Sequence, residues 1–506
     1  MRTKNTIKNS ITSFISNVLS YALIFISQTI FIKILGIEYL GLNGLFSNIL
    51  TVLNLFELGI GSAITFKLYK SIATNKKEEV KSLMHYYKKC YFIIALVIFI
   101  IGLLITPFIT FIVKDVTVDI NIYIIYILFL TNTISTYYLA HKKNILFAHQ
   151  KNYIINIIHI IYIVLINITQ LLIIFLTHNY YLYLIVKIIY NLVYNITISI
   201  KANKEYPYIK DKDYKPLDGK IKEDITNRVK ALILHKICGV ATDGTDNILI
   251  SIFFGIKSVG LYANYNYIMI TIDSIFRNII QATRASVGDL LVKKDYGKRY
   301  RIFSRIRFLN MCIVIITAAC LLNLMEPFIT LWLGKEFLLT RVTLIVLIIN
   351  YCQSMMRATY RVFKDSAGIW IEDKYIPLLQ LSINLITSII LLKIIGLPGV
   401  FVGTILSSLV LWLYSYPKYV YNKILHMTYR DYYAHFIKCI IFISVILLTT
   451  YIICINITTN ILVLDLFIKL LISVIIPFMV FMIVFRNNNN YRYYKGLIKY
   501  RFVEKK

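Results

Sequence analysis

The stretch LGIEYLGLNGLF, residues 35–46, joins two apolar segments near the start of the chain and returns in altered form as FGIKSVGLYANY at 254–265. Four positions are identical, at an offset of 219 residues: Gly36 with Gly255, Ile37 with Ile256, Gly41 with Gly260, and Leu42 with Leu261. An even number of apolar segments, six, separates the two copies, so both copies have the same orientation. This pattern predicts a parallel internal repeat, two similar bundles related by a pseudo-two-fold axis along the membrane normal.

Apolar segments of about 20 residues recur along the whole chain, which is 58% hydrophobic over 506 residues. Each segment is long enough to cross a hydrocarbon core of about 30 Å, and backbone groups in lipid are satisfied within helices. We therefore expect an all-α polytopic membrane protein. About fourteen spans are predicted, near 10–32, 41–66, 90–112, 121–140, 154–177, 181–200, 231–254, 259–290, 308–325, 342–356, 375–392, 399–417, 432–455 and 462–485.

The net charge of +30 is distributed by loop, which argues against a nucleic-acid partner. The odd-numbered gaps between spans hold 6 Lys and Arg residues, whereas the N-terminus, the even-numbered gaps and the C-terminal tail hold 43. Basic residues accumulate in cytoplasmic loops of membrane proteins. We therefore predict that both termini and the loops 201–230 and 291–307 are cytoplasmic.

The spans divide the chain into predicted domains. We expect an N-terminal six-helix lobe at 1–200, a cytoplasmic linker at 201–230, a C-terminal six-helix lobe at 231–417, an additional helix pair at 418–485 and a basic cytoplasmic tail at 486–506. The seven cysteines are scattered and form no CxxC pair, so neither a disulfide nor a structural metal or other cofactor is expected.

The segment VATDGTDNIL, residues 240–249, places Asp243 and Asp246 inside the predicted span 231–254. A charged residue at this depth costs roughly 2.5–3.5 kcal/mol on insertion scales and usually faces a wet cavity or a partner. The repeat offset aligns Asp243 with Ile24 and Asp246 with Ser27, so the carboxylates are specific to the second copy. We expect them to line a cavity, with Gly244 between them allowing a local bend.

The second helix of each repeat carries a polar stripe. At 100° per residue, four side chains of the later copy lie within about 40° of one another: Asn266, Asp273, Arg277 and Arg284. The earlier copy has a comparable stripe within about 80°, formed by Asn43, Ser47, Asn54 and Glu57. Asp273 and Arg277 are four residues apart and can form an ion pair. The alternative is that these side chains only hold helices together.

Other charges receive structural interpretations. Lys187 and Lys438 lie near predicted span ends and are expected to extend to the membrane surface. Asp465 and Lys469 form an i,i+4 pair in the last span. Glu372 and Asp373 stand near lysines and are interpreted as solvated charge.

The chain resembles the polysaccharide flippases (Wzx-like) of the multidrug/oligosaccharidyl-lipid/polysaccharide superfamily, which also includes MATE exporters and lipid II flippases. Besides the opening stretch, the resemblance rests on NLFELGIGSAITFKLY at 54–69, TDNILISIFFGIKSVGLYANYNYI at 245–268 and GLPGVFVGTILSSLV at 396–410. It implies two six-helix lobes around a central cavity in a V shape, with a further C-terminal helix pair. It also implies that alternating access carries a polyprenyl-pyrophosphate-linked oligosaccharide to the outer leaflet for surface polysaccharide synthesis.

This implied substrate assigns roles to the polar residues. The diphosphate needs cations, which Arg277, Arg284 and Lys236 would supply. The sugars need hydrogen-bonding side chains, for which the candidates are Asn54, Gln28, Asn264 and Asn266. Coupling to an H⁺ or Na⁺ gradient would use carboxylates, for which the candidates are Asp243, Asp246, Asp273 and Glu57. The implied partners are an undecaprenyl-pyrophosphate-type lipid-linked glycan, membrane lipids and the polymerase or glycosyltransferase machinery, and the implied location is the bacterial cytoplasmic membrane.

Two other functions compete with this one. A MATE-like multidrug or cation antiporter would have the same fold but an acidic cavity, whereas the candidate helices carry three basic and three acidic residues. A membrane-bound enzyme would need a sizeable outward loop or cytoplasmic domain with catalytic acids or a metal site. The outward loops are too short for this, so we do not expect an enzyme.

Overall fold

The computed structural model describes residues 2–57, 60–211, 213–292, 295–369, 372–457, 459 and 461–503. Within these ranges the chain is helical, with short turns and no strand. By packing it forms two compact units, Met1–Ala263 and Asn264–Lys506. The all-α membrane architecture expected from the apolar segments is confirmed.

The first unit contains nine helices and part of a tenth among its described residues. Their bounds are α1 Arg2–Leu35, α2 Ile37–Leu53, α3 Ile60–Ala73, α4 Lys77–Ile105, α5 Ile109–Ile112, α6 Ile122–Tyr137, α7 Lys143–Ala148, α8 Asn152–Thr177, α9 Tyr180–Glu205 and α10 Gly219–Gln281. Short 3₁₀ turns lie at Asn54–Glu57, Thr106–Phe108, Ala140–Lys142 and Pro207–Lys210. In this unit α1 packs along α8, and α9 packs against both α6 and α8.

The second unit continues α10 from Asn264 and adds α11 Arg284–Val292, α12 Tyr296–Trp332, α13 Arg341–Ser366, α14 Ile376–Ile395, α15 Leu397–Val410, α16 Tyr429–Ile455, α17 Leu462–Val484 and α18 Asn489–Val503. A 3₁₀ turn at Lys335–Phe337 precedes α13, and a π-helix at Leu411–Ile424 continues α15. The helix α12 packs against α13, α16 and α17, while α14 and α15 form a close hairpin.

Twelve segments of the described chain are long and apolar enough to cross a membrane. Eleven correspond singly to predicted spans. The twelfth segment, Gly244–Leu291, contains parts of the two predicted spans 231–254 and 259–290, which meet at Gly255. The remaining predicted span, 41–66, corresponds to the shorter helix Ile37–Leu53 together with α3. The helix α13 is longer than the predicted span 342–356, because it continues past the buried Arg357 to Ser366.

The paired glycines of the internal repeat adopt the same backbone conformation. Gly36 has φ 99° and ψ 174°, and Gly255 has φ 77° and ψ 168°. Both sit where one helical segment turns into the next, and a positive φ favours glycine. The expected bend at Gly244 is wrong, since Gly255 is the residue of α10 with non-helical angles.

The two copies of the repeat contact each other reciprocally within the first unit. A Cβ on Gly41 would lie 2.3 Å from the Ile256 carbonyl oxygen, and a Cβ on Gly260 would lie 2.4 Å from the Ile37 carbonyl oxygen. Only glycine leaves room for this approach of backbone to backbone. The matched residues of the sequence repeat are therefore the contact residues of a local two-fold arrangement.

Candidate functional site

In the first unit, Asn54 and Glu57 occupy the 3₁₀ turn between α2 and α3. The Tyr91 hydroxyl donates to Glu57 Oε1 at 2.6 Å, and the Tyr137 hydroxyl donates to Asn54 Oδ1 at 3.0 Å. The hydroxyl oxygens of Tyr87 and Tyr91 are 3.3 Å apart and share a hydrogen bond. The turn thus presents both polar side chains to tyrosines of α4 and α6.

These contacts extend into a polar cluster inside the bundle. Asn144 Nδ2 donates to the Tyr87 hydroxyl at 2.8 Å, and Lys143 interacts electrostatically with Glu57. Gly61 makes room for the cluster, since a Cβ there would lie 2.9 Å from the Tyr87 hydroxyl. We call Asn54, Glu57, Tyr87, Tyr91, Tyr137 and Asn144 the Glu57 cluster. A carboxylate held by phenol donors is a group that can bind a proton or a small cation.

In the second unit, Arg277 and Asp273 form the predicted ion pair. Arg277 Nε and Nη2 donate to Asp273 Oδ2 and Oδ1 at 2.7 and 2.6 Å, and Arg277 Nη2 also contacts Ser354 Oγ at 3.1 Å. The side chains are 19% and 22% exposed. A fork-to-fork pair of this kind neutralises both charges and fixes the guanidinium plane.

Arg284 stands apart from that stripe. The helix α10 ends at Gln281 and α11 begins at Arg284, so the continuous four-residue stripe is wrong at its last member. Arg284 is 52% exposed and lies 3.8 Å from Asp365 Oδ2. Its guanidinium is therefore the more accessible of the two arginines.

The carboxylate segment of α10 packs closely on α2. A Cβ on Gly244 would lie 2.8 Å from Val52 Cγ2, and the Asn247 amide lies near Gly44. Asp246 is 7% exposed. The side chains of Asp243 and Lys236 lie outside the described part of the chain, although their backbone is helical.

The amide candidates are separated. Asn264 is fully buried, whereas Gln28 and Asn266 are half-buried. In the first unit the structure brings Asn54 and Glu57 together, and in the second it brings Asp273 and Arg277 together. It does not join Arg284 to that pair.

Sequence reasoning missed the tyrosines of the Glu57 cluster. Tyr91 and Tyr137 lie 34 and 80 residues from Glu57 along the chain, and no local spacing links them. The signal that could have found them is the hydroxyl-bearing aromatic inside an apolar span, which needs a polar partner.

The structure also bears on two other predictions about charged residues, Asp373 and the Asp465–Lys469 pair. Asp373 is not solvated charge: it is 1% exposed, paired with Lys364, and accepts hydrogen bonds from Ser415 at 3.2 Å. The Asp465–Lys469 pair is confirmed, with Nζ and Oδ2 2.8 Å apart.

No protein-family model matches the sequence, and no curated protein matches it. Solved structures do resemble it. The lipid II flippase MurJ in an inward closed conformation aligns with 95% of this chain and 99% of its own, with a TM-score of 0.70 and 16% identity.

Two multidrug transporter structures are also similar. An inward-facing MATE family transporter of the MOP superfamily covers 87% of this chain and 98% of its own, with a TM-score of 0.57 and 15% identity. The Vibrio cholerae MATE transporter VcmN in the bent form covers 82% of this chain and 97% of its own, with a TM-score of 0.54 and 15% identity. The chain therefore has the fold that the flippase MurJ and the MATE transporters share.

Proposed function

We propose that this protein is a flippase that moves polyprenyl-pyrophosphate-linked oligosaccharide units from the cytoplasmic to the outer leaflet by alternating access, for surface polysaccharide synthesis. The observation that carries the proposal is the fold likeness to a lipid II flippase over 95% of the chain. By its name, that relative is a flippase of lipid II. The bias of Lys and Arg between alternate loops supports an orientation with both termini in the cytoplasm. The bacterial cytoplasmic membrane is the location that we propose with this function.

The headgroup of such a substrate requires cations that can leave their present partners. Arg284 meets this need best, because it is half-exposed and its contact with Asp365 is long at 3.8 Å. Arg277 would have to exchange its bidentate bonds to Asp273 for bonds to phosphate. Lys236 stays a candidate, as do Asn54, Gln28, Asn264 and Asn266 for the sugars.

Ion coupling is assigned first to Glu57. Its carboxylate accepts a 2.6 Å hydrogen bond from the Tyr91 hydroxyl inside the bundle, and a bound proton or Na⁺ would change that geometry. Asp246, Asp243 and Asp273 remain secondary candidates. The glycan lipid, the surrounding lipids and a polymerase or glycosyltransferase are the proposed partners.

The second candidate function is a MATE-like multidrug or cation antiporter. The fold likeness to two MATE transporters and the carboxylates of Glu57 and Asp246 favour it. The accessible Arg284 argues against it, because a cationic drug would be repelled there.

The chain offers a matched pair of arginines for the test. Arg341 is 48% exposed and lies 3.9 Å from Glu326, which closely reproduces the exposure and pairing of Arg284. In the host cell we expect Arg284→Ala to remove surface glycan while the protein stays in the membrane, and Arg341→Ala to leave glycan unchanged. Normal glycan with Arg284→Ala would contradict the headgroup role.

A further inference from the structure

The helix α9 has a polar side that does not face lipid. Its exposed apolar residues mark the lipid side: Leu182, Ile185, Ile189, Val193, Ile196 and Ile200. At 100° per residue, Lys187, Tyr190 and Tyr194 lie roughly 100° or more away from the centre of that side. All three are half-buried. A membrane helix with lipid on one side and half-buried polar groups on another is expected to face water or a polar ligand on the second side.

Neighbouring helices continue this polar side. The Tyr162 hydroxyl of α8 donates to Asn191 Oδ1 at 2.8 Å, and Asn191 Nδ2 donates to Asn132 Oδ1 of α6 at 2.7 Å. The rings of Tyr162 and Tyr194 have centroids 4.9 Å apart. We call these residues the tyrosine face: Asn132, Tyr162, Lys187, Tyr190, Asn191 and Tyr194.

Lys187 is the charged member of the tyrosine face. It lies seven residues into α9, about 10 Å along the axis from Tyr180. Among the residues that the structure describes, Lys187 has no hydrogen-bond or ion-pair partner. A lysine in a span normally faces water or a partner. Lys187 lies away from the lipid side of α9, which favours a polar partner over the predicted extension to the membrane surface.

We propose that the tyrosine face binds the glycan part of the transported lipid, and that Lys187 binds a carboxylate on one of its sugars. The inference rests on the proposed flippase function. Aromatic rings stack against the C–H faces of pyranose rings, and amide and phenol groups exchange hydrogen bonds with sugar hydroxyls. A diphosphate carries more than one charge and favours several cations or an arginine fork. A single ammonium on a face with three tyrosines matches a uronate better.

The test uses the full chain in proteoliposomes with two synthetic fluorescent polyprenyl-pyrophosphate disaccharides. One carries glucuronate–glucose and the other glucose–glucose, so the lipids differ in one carboxylate. The variants are Lys187→Met, Tyr194→Leu and, as a control, Lys33→Met, whose lysine is exposed at the end of α1. Thermal melting in detergent checks that each variant is folded.

The wild-type protein is expected to flip the glucuronate lipid faster than the neutral lipid. Lys187→Met should remove this preference, with a loss on the order of tenfold for the acidic lipid alone, as one charge-assisted bond implies. Tyr194→Leu should slow both lipids, and Lys33→Met should slow neither.

Each other outcome is decisive. An equal loss for both lipids with Lys187→Met would assign Lys187 to the diphosphate and overturn the uronate assignment. Unchanged rates with folded Lys187→Met and Tyr194→Leu, while the wild type flips, would overturn the tyrosine face and leave the flippase function intact. Failure of the wild type to flip either lipid would overturn both.

Discussion

The Arg277–Asp273 pair shows how a charge is tolerated at membrane depth. Both guanidinium nitrogens that face Asp273 donate to it, and Ser354 accepts a further bond. Removing one partner leaves the other charge without compensation, whereas removing both leaves two neutral groups of similar size. The pair is therefore expected to contribute to stability, apart from the substrate-binding role that we propose for Arg277.

Arg277→Ala is expected to lower stability by about 2 kcal/mol, because Asp273 keeps its charge without a partner. The double variant Asp273→Asn/Arg277→Gln should lose clearly less. The measurement is the melting temperature of the purified proteins in detergent. A double variant that melts below Arg277→Ala would contradict this account of the pair.

Tyr91→Phe removes the donor to Glu57 and leaves the ring in place. We expect a loss of about 1–2 kcal/mol, since the Glu57 carboxylate loses a short hydrogen bond inside the bundle. Thermal melting measures it, with Tyr138→Phe as the control, because Tyr138 is 54% exposed. Equal effects of the two substitutions would show that the Glu57 bond contributes nothing.

At the residue scale, the sequence predicts local partners and not distant ones. The Asp273–Arg277 pair follows from four-residue spacing on a helix. The bond between Glu57 and Tyr91 depends on the packing of α4 against the turn after α2, which no spacing encodes. The prediction for Arg284 assumed one continuous helix, and no proline or glycine marks the end of α10 at Gln281.

At the scale of the elements, helices approach each other closely where glycines of one helix face the neighbouring helix. In the α14–α15 hairpin, a Cβ on Gly399 would lie 2.3 Å from the Leu391 carbonyl carbon, and a Cβ on Gly403 would lie 2.1 Å from Ser388 Oγ. These two glycines are four residues apart, the spacing that lets membrane helices approach closely. The sequence stretch 396–410 therefore has a packing role.

Gly260→Ala is expected to destabilise the protein or to separate the two repeat stretches, because the new Cβ would lie 2.4 Å from the Ile37 carbonyl oxygen. Backbone atoms cannot rotate away as a side chain can. Gly288→Ala in α11 is the control, since its Cβ would meet nothing within 4 Å. Thermal melting should fall for Gly260→Ala and stay level or rise for Gly288→Ala.

If Gly260→Ala melts at the wild-type temperature, the close approach of Gly41 to Ile256 and of Gly260 to Ile37 does not hold the first unit together. The sequence repeat predicts which glycines correspond. It does not predict that they touch, because two matched stretches 219 residues apart have no fixed distance until the chain folds.

For the whole molecule, the count and order of spans were largely predictable, because hydrocarbon thickness sets the length of each apolar segment. The division by packing was not: the compact units divide after Ala263 rather than at the polar stretch 201–230. The α10 segment before Gly255 belongs to the first unit, where Ser251 Oγ donates to the Ile112 carbonyl oxygen at 2.7 Å. The six-helix lobes expected at 1–200 and 231–417 stay a prediction.

The proposed orientation is tested by labelling single cysteines in intact cells. On a background without the seven native cysteines, Lys335→Cys should react with a membrane-impermeant maleimide, because its loop is predicted to face outward. Lys215→Cys should react only after the membrane is opened. The reverse pattern would invert the orientation and place the termini outside.

The central proposal is that this protein moves a lipid-linked glycan across the membrane. Reconstitution measures that movement directly. Proteoliposomes that contain the wild-type protein are loaded with a fluorescent polyprenyl-pyrophosphate disaccharide, and a membrane-impermeant quencher reports how much of it reaches the outer leaflet. Parallel vesicles with a pH gradient measure ethidium transport. We predict protein-dependent flipping that Arg284→Ala slows and Arg341→Ala does not, without ethidium transport. Ethidium exchange against protons without flipping would contradict the account and favour the antiporter.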